Sequence, residues 1–517
     1  MKDPFFIRVS VRGFTIEFPE EEKLKKLLDI KIKSIEETNV VYPLLNPFSY
    51  TKIYWNKEEN TVIYEINEIK LNEQEQEILE LAILEIKELL EENYHEISDL
   101  EKKIEYLMNN FDYFLSINNI ILPQNSYYKI FYFLYKYFIG YGKIEPLIRD
   151  PLIEDISCDG IRVPIYILHK RFGTIPTNVF YNNEEELQEE IEKLAQRSGR
   201  YVSYSKPILD ASLPEGHRVN ATYSSDITTK GPTFTIRKFN QIPLTPIDLI
   251  RFGSVNEVLM SILWLGVQYR RNFLIIGETA SGKTTLLNTI ALFIPKTSKI
   301  VSIEDTRELN LPFENWIPSV SRTGVGINKI GEVTLFDLLK ASLRQNPDYL
   351  IVGEVRGKEA NILFQGMASG HSSFATFHAN SVESVIARLT TPPINLPASL
   401  ISLLDFVILT IKHKNKRIVK AVYEIYRENN EIKNQVLIEY DFQTKRFLIK
   451  NPSKIFEKIE NFYGITIKDL WKEVKTRSLV LAKLKETNID WKKFNDLVHL
   501  YYINKEKVLK LLKIPVF

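Results

Sequence analysis

The spacing of apolar and polar residues predicts an amphipathic helix from Asn72 to about Leu90. An acid stands three positions after Asn72, the arrangement of a helix cap, and apolar residues then recur at intervals of three and four. The side chains on the inner face would be those of Ile78, Leu79, Ala82, Ile83, Ile86, Leu89 and Leu90. The stretch 62–66 before this helix alternates as a strand does and carries no chemical motif.

From residue 142 to 239 the pattern changes to short strands around one helix, which indicates a small α+β region. Asn183 is the predicted cap of that helix, whose inner face would carry Leu187, Ile191, Leu194 and Ala195. Pro243 and Pro246 then interrupt both periodicities. The sequence therefore predicts an extended connector here and the main domain boundary.

Beyond the connector, apolar strands alternate with helical stretches, a pattern typical of a mostly parallel sheet covered by helices. The predicted strands are 273–276, 300–303, 349–352, 373–377 and 406–411. A hairpin after Lys412 and a charged helical tail would complete the chain. The predicted fold class is α/β, preceded by α+β regions.

The composition is that of an ordinary folded protein, with 44% apolar and 26% charged residues among 517. Its 67 basic and 66 acidic side chains give a net charge of +1, which does not favour a dedicated nucleic-acid binder. The single cysteine, Cys158, excludes an intramolecular disulfide and a four-cysteine zinc site. Residues 1–14 lack the apolar core of a signal peptide, and the longest apolar run, 400–411, falls short of the ~20 residues that span a bilayer. We expect a cytoplasmic protein with peripheral membrane contact only.

Residues 277–284 fit the phosphate-binding pattern Gly-x4-Gly-Lys-[Ser/Thr], follow a predicted strand and open a predicted helix. In this motif, backbone N–H groups surround phosphate oxygens at a helix N-terminus, where the helix dipole favours anions. Lys283 would reach the β- and γ-phosphates, and the Thr284 hydroxyl would bind Mg²⁺. The predicted nucleotide-binding residues are Gly277, Glu278, Thr279, Ala280, Ser281, Gly282, Lys283, Thr284 and Thr285.

Carboxylates follow two other predicted strands. Strand 349–352 is followed by Gly353 and Glu354. Many P-loop enzymes carry a Mg²⁺-holding Asp at the position that Gly353 occupies here. Because only Glu354 is acidic at this strand end, we assign it to orienting the attacking water. The acidic segment 304–308 follows strand 300–303 and would meet the same sheet edge, unless it is only a solvated turn. The metal ligands, partly through water, would be Thr284, Glu304, Asp305 and Glu354.

Two histidines, His371 and His378, flank strand 373–377. A histidine at a strand end near the γ-phosphate would sense that phosphate through a hydrogen bond that hydrolysis removes. Taken singly, each histidine is more often structural. The catalytic prediction for His378 therefore depends on the motifs around it.

These four segments, in this order and spacing, resemble the secretion ATPases of type II secretion, type IV pili and archaella, with their P-loop, Asp box, Walker B ending in Gly-Glu, and His box. The upstream segments 142–147, 213–220 and 231–238 agree, and the similarity covers roughly 138–410. The resemblance implies a RecA-like core behind a PAS-like α+β domain, with ATP and Mg²⁺ as cofactors and no zinc. The family's bacterial assembly and secretion members often carry a tetracysteine zinc module, which this chain lacks, so an archaeal-type member is favoured.

The resemblance also implies a homohexamer that contacts a polytopic membrane platform protein. In the family, arginines of the upstream domain reach nucleotide held by the next domain, which points to Arg218 and Arg237; pairing of Arg218 with a local acid is the alternative. The predicted catalytic residues are Glu354, Glu304, Lys283, Arg218, Arg237 and His378. The predicted domains are a partner-specific N-terminal region (1–140), the arginine-supplying domain (141–239), a hinge (240–247), the ATPase core (248–412), and a C-terminal hairpin and tail (413–517).

Several functions compete on this sequence. The leading one is a ring ATPase that powers secretion or assembly of a type IV pilus-like filament, and the archaellum motor is the close alternative. A DNA-translocating or helicase motor would need a basic or aromatic channel, which the balanced charge does not favour. A scaffold with little turnover is disfavoured by the acids at Glu304, Asp305 and Glu354. The basic run 412–417 is interpreted as a solvated hairpin turn rather than a partner site.

Overall fold

The computed structural model describes residues 6–21, 23–24, 27–28, 34–89, 97, 99–239, 243–322, 331–414, 416–429, 431–487 and 489–515. The chain forms two compact units, Met1–Phe239 and Asn240–Phe517. Leu90 of the first predicted helix, residues 240–242 of the predicted connector and the end of the tail lie outside the described residues.

Within the described residues, the first unit contains three antiparallel sheets. Its strands are β1 (Phe6–Val11), β2 (Phe14–Pro19), β3 (Asn39–Leu45), β4 (Ser49–Asn56), β5 (Thr61–Glu68), β6 (Ile153–Cys158), β7 (Tyr166–His169), β8 (Gly173–Pro176), β9 (Ile208–Ser212), β10 (Arg218–Thr222) and β11 (Thr233–Arg237). β1 and β2 form a hairpin, β3 to β5 a meander, and the rest a sheet in the order β8-β7-β6-β11-β10-β9. The helices are α1 (Glu73–Leu89), α2 (Leu100–Ile117), α3 (Gln124–Leu134), α4 (Glu145–Arg149) and α5 (Glu184–Arg197).

Helix α1 begins where the pattern predicts. The Asn72 side chain accepts a hydrogen bond of 2.8 Å from the Glu75 amide, and the Glu75 carboxylate accepts one of 3.0 Å from the Asn72 amide. This reciprocal pair satisfies two amides at the start of the helix, where N–H groups have no intrahelical partner. Leu79, Ala82 and Ile86 of the predicted inner face are buried, which confirms the helical periodicity.

The buried apolar residues of the first unit form one core that runs across the predicted boundary at residue 140. Helix α5 is capped by Asn183 as predicted and contributes its inner face to this core. At the centre, the hydroxyls of Tyr42 and Tyr64 each donate a hydrogen bond of 2.6 Å to the buried Asp150 carboxylate. Such donors offset the cost of removing a carboxylate from water.

The second unit is built on a nine-stranded sheet in the described part of the chain. Its strands are β12 (Phe273–Gly277), β13 (Ile300–Glu304), β14 (Trp316–Val320), β15 (Tyr349–Val355), β16 (Ser372–Phe377), β17 (Phe406–His413), β18 (Lys416–Glu428), β19 (Glu431–Asp441) and β20 (Arg446–Ile449). The order is β14-β13-β15-β16-β12-β17-β18-β19-β20. The helices are α6 (Pro246–Arg251), α7 (Glu257–Gln268), α8 (Lys283–Ala291), α9 (Leu335–Ser342), α10 (Glu359–Ala368), α11 (Val382–Thr390), α12 (Ala398–Ile401), α13 (Lys454–Tyr463), α14 (Ile467–Lys485), α15 (Trp491–Ile503) and α16 (Lys505–Leu511).

The predicted α/β class and mostly parallel sheet are confirmed. β12 to β17 run parallel, and β17 to β20 continue the sheet as an antiparallel meander that includes the hairpin predicted after Lys412. Alternate side chains of each parallel strand enter different cores: Ile275 packs with α7, α8 and the C-terminal helices, whereas Leu274 and Ile276 pack with α9 to α11. Helices therefore cover both faces, as burial of a parallel sheet requires.

Helix α6 begins inside the predicted connector, because Pro246 occupies its first turn. The Thr245 hydroxyl accepts the Asp248 amide at 3.2 Å, and the Asp248 carboxylate accepts the Thr245 amide at 2.8 Å. Proline is tolerated there because the first helical N–H groups have no intrahelical partner. None of the described helices has the length and apolar character needed to cross a membrane.

The C-terminal helices attach to the sheet unit through the fully buried Trp264. Its indole N–H donates a hydrogen bond of 2.8 Å to the Tyr502 hydroxyl, which donates one of 2.7 Å to the Phe293 carbonyl. The indole also stacks on the Phe293 ring at a centroid distance of 5.1 Å. Tyr502 thus connects α15 to Trp264 of α7, which precedes the phosphate-binding loop, and to Phe293, which follows α8.

Replacing this tyrosine by phenylalanine tests the attachment. We expect Tyr502→Phe to lower the free energy of unfolding of the second unit by about 1–3 kcal/mol, because a buried indole N–H and a carbonyl lose their partner. Urea unfolding followed by circular dichroism measures the change. The matched Tyr463→Phe variant, at a ring 43% exposed, should change it by less than about 0.5 kcal/mol. Equal effects of both variants would contradict the bridging role.

Candidate nucleotide site

The phosphate-binding loop connects β12 to α8 at the carboxyl edge of the parallel strands. Gly277 has a φ of +153° at its start, and Gly282 has a φ of +94° and caps α8, which begins at Lys283. Ala280 is a non-glycine residue with a φ of +60°. This left-handed conformation is disfavoured for residues with a Cβ, so the surroundings of the loop must hold it.

Strand β17 forms the wall against which the loop rests. A Cβ at Gly277 would lie 2.3 Å from the Thr410 carbonyl oxygen, so only glycine fits there. The Thr410 hydroxyl donates to the Ile276 carbonyl at 3.0 Å and lies 2.8 Å from the Ser281 hydroxyl. One buried hydroxyl therefore connects the strand before the loop to the loop itself.

Lys283 points back across the loop. Its amino group donates to the carbonyl oxygens of Gly277 at 3.0 Å and Glu278 at 2.8 Å, and lies 3.4 Å from His378 Nδ1. Burial lowers the pKa of Lys283, while the carboxylate charge of Glu354 counteracts that shift. The amine is thus a positive charge held at the loop by backbone carbonyls and one imidazole nitrogen.

Glu354 lies close to this lysine and to two further side chains, one at each carboxylate oxygen. Arg356 donates a hydrogen bond of 2.6 Å to Glu354 Oε2, and His378 Nε2 lies 3.2 Å from Oε1. The approach of His378 is not aligned as a hydrogen bond, so the buried Oε1 has no hydrogen-bond partner in the described ranges. Burial raises the pKa of Glu354, but the Arg356 hydrogen bond and the nearby positive charges outweigh burial, so the pKa lies below its usual range. The carboxylate is ionised and keeps one acceptor oxygen available.

His378 lies between the lysine and the carboxylate. Burial and the Lys283 charge lower the pKa of His378, so the ring is neutral at pH 7. Because Nδ1 faces an ammonium group, it acts as an acceptor, and the ring proton is assigned to Nε2, on the side of Glu354. The Arg388 guanidinium donates to the His378 carbonyl and fixes the backbone at the end of β16.

Glu304, for which metal and catalytic roles are predicted, has differently placed carboxylate oxygens. Its Oε1 accepts the amides of Glu308 and Leu309 at 2.9 and 3.0 Å, and burial raises the pKa of Glu304 to about 7. A Cβ at Gly353 would lie 3.0 Å from Glu304 Cγ, so Glu304 fills the space beside that glycine. One oxygen thus shapes the turn after β13, and the other, Oε2, is buried with no hydrogen-bond partner in the described part of the chain.

Asp305, the next acid, is exposed and accepts a hydrogen bond of 3.1 Å from the Ser321 hydroxyl. Its other oxygen lies 4.0 Å from Arg356, the residue that binds Glu354. Within the ranges described, no three or more Asp, Glu, His or Cys side chains form a group that could hold a metal ion.

The remaining predicted residues lie elsewhere in the fold. His371 precedes β16 and is therefore at the opposite edge of the sheet from His378; its Nδ1 lies 2.8 Å from the Pro347 carbonyl. Arg218 and Arg237 face each other across β10 and β11 in the first unit. Arg218 binds Asp210 through hydrogen bonds of 3.1 and 3.2 Å, so the local pairing considered as its alternative is present.

Three residues at the site belong to none of the predicted motifs: Thr410 and Arg417, which contact the loop, and Arg356, which binds Glu354. Arg417 donates a hydrogen bond of 3.1 Å from Nε to the Ala280 carbonyl. Arg356 follows Glu354 by two positions, so the proximity in sequence was a usable signal. Thr410 and Arg417 are more than a hundred positions from the loop, and their contacts depend on the strand order.

The chain is similar in sequence to a known protein family and to individual proteins of archaea and bacteria. The sequence model of the family described as type II/IV secretion system protein matches residues 141–433. An uncharacterized protein of Methanocaldococcus jannaschii is 35% identical over 519 residues, which cover 95% of this chain and 93% of the relative. The type IV secretion system protein PtlH of Bordetella pertussis is 30% identical over 260 residues, covering 44% of this chain and 76% of the relative.

Among solved structures, the VirB11 ATPase from the Brucella suis type IV secretion system, in complex with sulphate, is 25% identical with a TM-score of 0.28. That match covers 55% of this chain and 92% of the other. The predicted family is thus confirmed by the family match, which covers more than half of the chain. The chain belongs to the family of type II/IV secretion system proteins.

Proposed function

We propose that this chain is a Mg²⁺-dependent ATPase that powers protein secretion or the assembly of a type IV pilus-like filament. The observation that carries the proposal is the convergence of Lys283, His378 and Glu354 at the phosphate-binding loop. P-loop enzymes use a loop lysine on the phosphates and a side chain that positions the attacking water, and Lys283 and Glu354 are placed for these two roles. An archaellum motor would use the same site and remains the alternative.

Glu354 would orient the attacking water. Its Oε2 is fixed by Arg356, and the buried Oε1 can accept a hydrogen bond from water. The water oxygen then bonds to the γ-phosphorus as the bond from that phosphorus to the β-phosphate oxygen breaks; the water protons stay on the phosphate formed, one is later lost to solvent, and ADP and phosphate leave. Lys283 would turn from the loop carbonyls to the β- and γ-phosphates.

The proposed metal site uses few protein ligands. The Thr284 hydroxyl in the first turn of α8, with Asp305 and Glu354 through water, fits Mg²⁺, which keeps much of its hydration shell. When bound, the ion neutralises charge on the phosphate oxygens. Glu304, whose Oε1 accepts backbone amides, would contribute to this set only through its unpartnered Oε2.

His378 would report the state of the phosphate. Its Nδ1 lies at hydrogen-bond distance from the Lys283 amino group, which must turn away to bind a phosphate. Movement of the lysine would therefore change the partner of His378 at the end of β16. This gives a local link between nucleotide state and the strand end.

The arginine pair supports a site shared between copies of the chain. Arg218 and Arg237 occupy opposed positions on β10 and β11, and both side chains are exposed. We expect a homohexamer in which they reach the nucleotide of a neighbouring copy, attached at the cytoplasmic face of the membrane to a polytopic platform protein. The relatives named as type IV secretion system proteins support this setting.

Substituting Glu354 separates binding from hydrolysis. We expect Glu354→Gln to bind Mg-ATP but to release phosphate at a rate lower by roughly tenfold or more, because a neutral amide does not orient the attacking water as a carboxylate does. Lys283→Ala should instead lose tight nucleotide binding. The exposed Glu314→Gln serves as the control for both assays. Near-normal phosphate release by Glu354→Gln would remove Glu354 from this role.

Substituting Arg356 tests the charge balance around Glu354. Without the guanidinium the pKa of Glu354 should rise, so the acidic limb of the pH–rate profile should move to higher pH. Arg356→Ala would then lose more activity at pH 5.5 than at pH 8. The control is Arg270→Ala, which removes a half-exposed arginine paired with Asp348 at 2.8 Å. Equal relative losses at both pH values would contradict the electrostatic role.

Mixing two inactive variants tests the shared site. Arg218→Ala lacks a proposed arginine, and Lys283→Ala lacks the loop lysine. In mixed assemblies, one site can combine an intact arginine with an intact loop, so mixing should restore part of the phosphate release. Co-assembly is checked by pull-down of differently tagged subunits. Mixtures that co-assemble but stay as inactive as the separate variants would exclude a site composed in this way.

A further inference from the structure

The hairpin formed by β17 and β18 returns to the phosphate-binding loop after its turn. Arg417, the second residue of β18, donates from Nε to the Ala280 carbonyl at 3.1 Å. A Cβ at Gly282 would lie 3.3 Å from Arg417 Cδ. The arginine side chain therefore lies along the outer side of the loop and contacts it at two residues.

The residue that Arg417 binds is the one with the least favourable backbone conformation in the loop. Ala280 has a φ of +60°, a region that residues with a Cβ disfavour. A charged donor makes a stronger hydrogen bond to a carbonyl than a neutral donor does. The contact thus favours the conformation in which the Ala280 carbonyl faces the arginine.

Both strands of the hairpin take part in holding the loop. On β17, Thr410 lies against Gly277 at the start of the loop and beside the Ser281 hydroxyl. On β18, Arg417 contacts the loop at Ala280 and Gly282. The neighbouring Lys416 instead lines a separate groove with Tyr440 and Arg446. Two adjacent cations of one strand therefore have different surroundings.

We infer that Arg417 is a positioning residue of the phosphate-binding loop. It holds Ala280 in the left-handed conformation, so that the following amides are preorganised for phosphate, and it places a positive charge beside that anion. The inference rests on the proposed nucleotide site and adds a residue of the C-terminal hairpin to it. Arg417 acts on binding through the loop, whereas Glu354 acts on the chemical step.

The test compares ADP binding by the full-length chain and its variants, measured by titration calorimetry with Mg²⁺ present. Arg417→Ala should raise the Kd for ADP by about 5- to 10-fold and raise KM for ATP similarly, with kcat within about twofold. Arg417→Lys keeps the charge without the guanidinium Nε–H and should give a smaller increase. Lys416→Ala, which removes an equal charge one position away, should bind ADP as the unmodified chain does.

The outcomes separate this inference from the proposed function. Failure of the unmodified chain to bind ADP would contradict the nucleotide site itself. Normal ADP affinity of Arg417→Ala would overturn the positioning role, and so would an equal loss in Lys416→Ala, which would indicate a general charge effect. Thermal unfolding of the variants without nucleotide is the second measurement. A weakened ADP affinity with an unchanged unfolding midpoint supports the positioning role. A lowered unfolding midpoint, together with an equal loss of ADP affinity in Arg417→Lys, would show that the residue only stabilises the fold.

Discussion

The approach of the phosphate-binding loop to β17 is the constraint on which the nucleotide site depends. Gly277 has no room for a Cβ beside the Thr410 carbonyl, and the Thr410 hydroxyl contacts both ends of the turn. The position of the loop is therefore set by a neighbouring strand rather than by its own sequence alone. That contact also sets the positions of Lys283 and the start of α8, because they follow the loop directly.

The second organising feature is a balance of charge around one carboxylate. Glu354 is partly buried, yet Arg356 and Lys283 keep it ionised, and the neutral His378 separates it from the lysine. Glu304, only one strand away, has the opposite character, because burial dominates and its pKa is raised to about 7. The pKa values of two acids at the same sheet edge are thus shifted in opposite directions, because their neighbours differ.

The sequence predicted the features that depend on local patterns. The caps at Asn72 and Asn183 and the parallel strands follow from periodicity and polar residues at fixed offsets. The grouping of Lys283, His378 and Glu354 follows from the rule that parallel strands end at one edge. These predictions needed no knowledge of distant contacts.

Other features could not be predicted, because they depend on which distant segments meet. Nothing in the run 304–308 shows that Glu304 turns inward to accept amides four and five positions later. The contact between Arg417 and Ala280 joins residues 137 positions apart. The basic run around Arg417 was interpreted as solvated, and the hairpin turn agrees, but the strand order brings this one side chain to the loop.

The covering of the sheet by the C-terminal helices has a consequence for synthesis on the ribosome. One face of the sheet packs against a core that includes Val508, Leu509 and Leu512, near the end of the chain. Domains fold as units as the chain emerges, so the first unit can close its core while the second still lacks these residues. Until these helices emerge, the apolar side of β12 and its neighbours is uncovered and open to association with other apolar surfaces.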